Sequence, residues 1–436
     1  MTLFLIIWGC VSLYLVFNTR YKILCNEVFW LSIFWTFIIG CYITSGITYK
    51  QYGLSFPLVI FFSCCSFAFI KGRDIGYKRT PMLAKHRKGK FKTNLFTALG
   101  VFGAFLFVFD LYRLNGVTVF LARESGIKME LDISLLGSIG CLLVPILLVQ
   151  GLYSIAYSLR EKGKFSVEGL ILLMGYTIPC ILNSGRESIL YVIIGVISLY
   201  GYSFYFKSAK TKKYSFKQIF TKLLIVVVVG SLSFAIISIS EERFDQTRVN
   251  IFLSENNVPS ATMEDAKKWG EMEFLYYNIA SYFSHQVAML DFTLKDYDGP
   301  YMCGMYEFNI VSRRLPESWG LDYRQVPRKI RKLYGQTGVD FGGGWNTILG
   351  VFIIDLGRIG AILACFLCGL IIGKSRKRFE ISLEPRYAVL ISLICLSTFS
   401  TIQMGPFYQT LIYGSYIWWY VIFHTKSSHV KVNHNG

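Results

Sequence analysis

An arginine, a carboxylate and two hydroxyls crowd into one short connection, Asn183-Ser184-Gly185-Arg186-Glu187-Ser188, between two long apolar runs. Glycine allows the chain to reverse there, and the following helix would open with free backbone donors. A helix N-terminus beside Arg186 suits an anion such as a phosphate; a solvated turn with an interfacial arginine fits the same residues. A second candidate is His285, near Ser281 and Tyr282. It is the one histidine that could act as an acid or base near neutral pH outside the basic segments and the C-terminal tail, or it could simply edge a polar helix face. Asp355 and Arg358 lie three apart inside an apolar run, a spacing that predicts a pair on one helical face. Asp110 is expected at an interface. Residues 241–345 hold one histidine and one cysteine, Cys303, so no metal constellation is expected there. No Walker loop or dinucleotide fingerprint appears, so any reaction would draw on an activated substrate or a gradient.

These residues must be positioned by a chain of 436 residues that is 53% hydrophobic and 17% charged. The apolar residues form long blocks, which excludes a disordered chain, a fibrous protein, a disulfide-stapled module and an ordinary cytosolic enzyme. Blocks of about 20 apolar residues cross a bilayer as helices. Eleven spans are predicted, near 2–17, 27–43, 54–70, 94–111, 133–157, 168–183, 188–206, 223–240, 346–373, 387–404 and 408–424. The fold class is therefore an all-α polytopic integral membrane protein. Alternate short loops carry 27 and 5 Lys and Arg, which predicts an outer N-terminus and a cytoplasmic C-terminus. The net charge of +18 thus needs no nucleic-acid partner; the run Lys85 to Lys90 reads as a lipid-facing anchor.

The expected organisation is a bundle of eight spans over 1–240, an outer loop over 241–345, three spans over 346–424 and a cytoplasmic tail over 425–436. The loop is too long to lack structure of its own. Trp269, Met272, Tyr276, Ile279, Phe283, Val287 and Leu290 recur every three or four residues, which predicts an amphipathic helix. A second, basic one is predicted over 325–334. Helices of this kind lie along a membrane face or close over a cavity.

The architecture and two local patterns resemble the oligosaccharide repeat-unit polymerases of the Wzy type, which build O-antigen and capsular polysaccharide. The patterns are the turn from Asn183 to Ser188, and Trp345-Asn346-Thr347 followed by Asp355-Leu356-Gly357-Arg358-Ile359-Gly360, similar to that family's D-F-G-x-x-G motif before a glycine-rich span. The resemblance implies an inverting, metal-independent glycosyl transfer without cofactor, at the periplasmic face of a bacterial inner membrane. It implies a substrate linked to undecaprenyl diphosphate in lipopolysaccharide or capsule biosynthesis, with a chain-length regulator and a flippase as possible partners.

Under that resemblance, Arg186, Arg313, Arg314, Arg328 and Arg331 become candidates for holding the diphosphate. His285 leads as base, followed by Glu187 and Asp340, while Trp269, Tyr277, Trp319, Tyr323 and Trp345 are candidates for stacking on sugars. An O-antigen ligase shares the donor and the architecture and differs in its acceptor. A polysaccharide flippase or transporter is the alternative of another class, expected to carry charged spans and repeated halves.

Overall fold

A computed structural model describes residues 24–44, 52–81, 93–115, 134–182, 187–207, 271–306, 346–402 and 410–424. Among them eleven helices follow one another: α1 (Glu27–Thr44), α2 (Phe56–Arg79), α3 (Thr93–Asn115), α4 (Leu135–Leu143), α5 (Pro145–Glu161), α6 (Val167–Leu182), α7 (Glu187–Lys207), α8 (Glu271–Asp296), α9 (Ile348–Ser382), α10 (Pro385–Ser400) and α11 (Thr410–His424). Six stretches are long and apolar enough to cross a membrane: α1, α2, most of α3, the run from α4 through α5, α7 and α9. The chain is thus a polytopic helical membrane protein. The expected spans at 2–17 and 223–240 lie outside the described residues, as does the basic segment 325–334.

The expected span at 133–157 is one apolar run bent in the middle. Pro145 cannot donate a backbone hydrogen bond to the preceding turn, so α4 ends and α5 begins with that proline in its first turn. Helices α5 and α10 form the centre. Residues 145–152 are buried on every side, and so is nearly the whole of α10. The outside has the opposite character. Phe56, Phe67 and Ile70 on α2, Leu95, Phe102 and Phe105 on α3, and Ile359, Leu363, Leu367 and Ile371 on α9 are all exposed. So much contiguous apolar surface is costly in water and is at home in lipid.

The tightest contact joins α2 to α9, which run parallel. Gly72 and Gly76 on α2 face Gly369 and Gly373 on α9, four residues apart on each helix. A methyl group at Gly72 would collide with the carbonyl of Phe366, at Gly76 with that of Leu370, at Gly369 with that of Phe69, and at Gly373 with that of Arg73. The two backbones therefore touch directly, the geometry that small residues permit between helices in a bilayer and one that brings Cα–H groups against carbonyl oxygens.

The length of α2 fixes the scale of the molecule. Its capping Ser55 and its inward-turned Arg73 are 18 residues apart, about 27 Å along a helix, close to the thickness of a bilayer core. Each of those residues anchors a polar cluster, one at each end of the bundle.

Gly76→Ala should lower stability by at least about 2 kcal/mol, because the backbone of α9 must move away. Gly40 on α1 has open space where a methyl would go, so Gly40→Ala should be neutral or slightly stabilising. Thermal unfolding of the two variants in detergent micelles checks the contrast.

Candidate functional site

At the Ser55 end of the bundle three segments converge: the start of α2, the second half of α8 with the turn that follows it, and the first turns of α9. The join depends on one carboxylate. Asp291 of α8 is fully buried. It accepts the backbone N–H of Gly53 at 3.0 Å, the hydroxyl of Ser55, and the ammonium of Lys295 at 2.8 Å. Ser55 in turn caps α2 by accepting the N–H of Leu58. The end of α3 uses the same device. There buried Asp110 accepts both the N–H and the hydroxyl of Ser134, which caps α4, and Arg113 completes the set at 3.1 Å. Asp110, expected at an interface, lies near the end of α3 and forms a buried clasp between two helices.

The pair expected between Asp355 and Arg358 does not form. Gly357 lies between them with φ 74° and ψ 175°, a conformation reserved for glycine, so the helix is interrupted there. The carbonyls freed by the break accept new donors: Met302 N–H bonds to Ile354 O at 3.3 Å and Cys303 N–H to Asp355 O at 2.9 Å. The Asp355 carboxylate accepts Tyr306 N–H at 2.9 Å. Arg358 points the other way and donates to the carbonyls of Leu294 at 2.6 Å and Lys295 at 3.1 Å. Those are carbonyls of the last turn of α8, which have no partner within their own helix, and a cation is favoured at that end. The discontinuity in α9 therefore docks both α8 and the turn at 301–306. Just after α8, burial, and after it the charge of Asp355, push the Tyr297 phenol above its usual value. It stays protonated and donates to the Pro300 carbonyl.

Helix α8 itself departs from expectation. A helix forms over Glu271–Asp296, but a single apolar face does not describe it. Every residue from Ser284 to Leu294 is buried. Phe283 packs edge-on against Phe37 of α1 at 5.1 Å, and Phe292 against Tyr52 at 5.1 Å. Asn346, just before α9, donates to Thr293 at 3.2 Å. The second half of α8 thus runs up beside α1 inside the bundle, and does not lie along a surface.

It carries Ser284, His285 and Gln286 inward with it. His285 is 4% exposed, so it does not edge a solvent-facing polar stripe. Gln286 is completely buried, and among the described residues neither its amide oxygen nor its amide nitrogen has a hydrogen-bond partner. An amide left in that state is uncommon and destabilising in a packed interior.

Of the other residues singled out from sequence, Glu187 opens α7 and Tyr277 lies in α8, and their side chains fall outside the described set. Arg186, Arg313, Arg314, Arg328, Arg331, Asp340, Trp269, Trp319, Tyr323 and Trp345 lie outside the described residues altogether. Among the described residues no three His, Cys, Asp or Glu side chains group closely enough to hold a metal ion. Sequence reading missed Asp291, Ser55 and Gln286. The available signal was a lone carboxylate in the apolar run Ala288-Met289-Leu290-Asp291-Phe292, since a charge in such a setting requires a partner.

The opposite end holds an ion-pair network that sequence also did not disclose. Glu27, the buried first residue of α1, receives Arg73 of α2 at 2.7 Å, with Arg376 of α9 at 3.8 Å. Arg376 also donates to Glu380 at 2.7 Å, to Tyr205 of α7 at 2.7 Å and to the Cys25 carbonyl. Tyr77 donates to Glu380 at 2.6 Å. Burial pushes the Cys25 thiol up to about 11, so it stays neutral beside this network.

No family model, curated protein or solved structure matches this chain. The class established by the fold and these clusters is a polytopic helical membrane protein with a polar helix built into one end of its bundle.

Asp291→Asn should destabilise the protein by about 3 kcal/mol, because a buried charge pair and two backbone-fixing acceptor contacts are disturbed together. Lys295→Ala leaves the buried Asp291 charge without that ammonium and should cost a comparable amount, whereas Lys78→Ala, at the exposed pair with Asp74, should cost under about 1 kcal/mol. Denaturant or thermal unfolding in micelles separates them; a loss as small in Asp291→Asn as in Lys78→Ala would mean that Asp291 is not the centre of this join.

Proposed function

We propose that the chain polymerises oligosaccharide repeat units carried on undecaprenyl diphosphate, at the periplasmic face of a bacterial inner membrane. The reading takes eleven spans, an outer N-terminus and a cytoplasmic C-terminus. Its main support is the placement of α8. A helix from the long segment between α7 and α9 brings Ser284, His285, Gln286 and Asp291 into the bundle at one end, while the lysine- and arginine-rich loops attach to the other. A polar element inserted at the outer end is what an enzyme acting on a lipid-anchored sugar requires: the lipid stays in the bilayer while the sugar meets polar groups.

The reaction is a displacement at the anomeric carbon. A sugar hydroxyl of the incoming unit attacks that carbon, the bond to the diphosphate oxygen breaks, and undecaprenyl diphosphate leaves with the electron pair. The hydroxyl proton passes to a base. Attack from the side opposite the leaving group inverts the configuration. Fixed cations stabilise the charge that develops on the diphosphate, and Arg186 is the first candidate, with Arg313, Arg314, Arg328 and Arg331 behind it. His285 is the first candidate for that base, with Glu187 and Asp340 behind it. Trp269, Tyr277, Trp319, Tyr323 and Trp345 offer faces for sugar stacking.

The test is the surface glycan of a strain lacking this gene, resolved on a gel. A single-repeat product is expected in the deletion, restored to a ladder by the wild-type gene and not by Arg186→Ala. Complete loss of glycan from its final acceptor would instead indicate a ligase or a flippase, and an unchanged ladder would end the glycan reading.

A further inference from the structure

The network at the Arg73 end borders a cavity of about 540 Å³ between α1, α2 and α9, open to the outside of the bundle. Its lining mixes Asn26, Lys71, Arg73, Asp74 and Glu380 with the apolar Ile70. Whether such a site prefers a cation or an anion depends on which charges are already neutralised. The carboxylates are. Asp74 is held by Lys78 at 2.8 Å, Glu380 by Arg376 and Tyr77, and the buried Glu27 behind them by Arg73.

The donors are not exhausted. Lys71 is exposed, rests 5.4 Å above the Phe67 ring, and donates to no acceptor among the described residues. Arg73 uses its Nε on Glu27, and its side chain stays 27% exposed toward the cavity. The opening therefore presents cationic donors in excess over free acceptors, and its complement is an anion with several oxygens.

The surroundings identify where that anion comes from. Phe67, Ile70 and Lys71 share one face of α2, and Phe67 and Ile70 are 64% and 52% exposed. An ammonium set next to exposed apolar side chains at the end of a span matches a phospholipid, with its phosphate on the cation and its acyl chain along the ring and the isoleucine. We propose that this cavity binds the phosphate of an anionic membrane phospholipid, held by Lys71 and Arg73. The site is independent of the glycan reading and requires only that the chain spans a membrane.

The test uses the full-length protein purified in a mild detergent, with dioleoyl phosphatidylglycerol as the probe and native mass spectrometry as the readout. One lipid should remain on each wild-type chain and raise its thermal midpoint. Lys71→Glu should weaken retention by about tenfold, as expected for reversing one interfacial charge, and Lys71→Ala should act in the same direction to a smaller extent. Both change an exposed side chain. Lys164→Glu makes the same charge change at an exposed position away from the cavity and should leave retention within twofold of wild type. Soluble sn-glycerol 3-phosphate should not substitute for the lipid. Full retention by Lys71→Glu, an equal loss in Lys164→Glu, or equal protection by the soluble phosphate would each overturn the assignment.

Discussion

The direct backbone contact between α2 and α9 is the constraint on which the other arrangements depend. Four glycines let the two parallel helices approach until a carbonyl of one occupies the place of a side chain on the other. With that distance fixed, residues before and after the glycines fall into register across the pair. Arg73 and Tyr77 of α2 come level with Arg376 and Glu380 of α9 at one end, and Ser55 is carried to the end where α9 begins. Neither polar cluster could form if the helices were a side chain further apart.

The two clusters differ in purpose because they differ in chemistry. The network around Glu27 and Arg376 is nearly closed: each carboxylate meets a guanidinium, and Tyr205 and the Cys25 carbonyl take further donors. Such a network helps specify which helices meet, even where its net stabilisation is small. The cluster around Asp291 and Arg358 instead satisfies backbone groups: side chains meet the N–H of Gly53 before α2 and the carbonyls at the end of α8, while the backbone N–H groups of Met302 and Cys303 meet the carbonyls exposed by the break at Gly357. Broken helices recur where irregular backbone must be held beside a polar space in a membrane. This end also contains the orphaned amide of Gln286, the one place in the described core where a fully buried side-chain amide lacks any partner.

Much of this fold was legible in the sequence, because the signal for a membrane helix is a long apolar run and needs no partner to be read. The helices from α1 to α7 and from α9 to α11 begin and end within a few residues of the expected spans, apart from the longer C-terminal ends of α2 and α9 and the bend at Pro145. What could not be read was pairing. Asp355 and Arg358 look like partners because their spacing assumes an unbroken helix, and Gly357 removes that assumption. Helix α8 was readable as a helix from its three-and-four periodicity. Its burial was not readable, because Ser284, His285, Gln286, Asp291 and Thr293 are polar residues whose surroundings come from α1, α2 and α9, distant in sequence. Ion pairs such as Glu27 with Arg73 join residues at span ends, where a charge signals nothing unusual by itself.

The functional account joins a membrane bundle to an inserted polar helix and assigns them a bond-forming reaction. The most direct measurement is reconstitution of the purified protein in liposomes with lipid-linked repeat units added from outside, followed by separation of the products. Lipid-linked chains of two and more repeats, appearing together with released undecaprenyl diphosphate, are the predicted result. Movement of the substrate across the bilayer with every unit still single would contradict the account and mark the protein as a transporter.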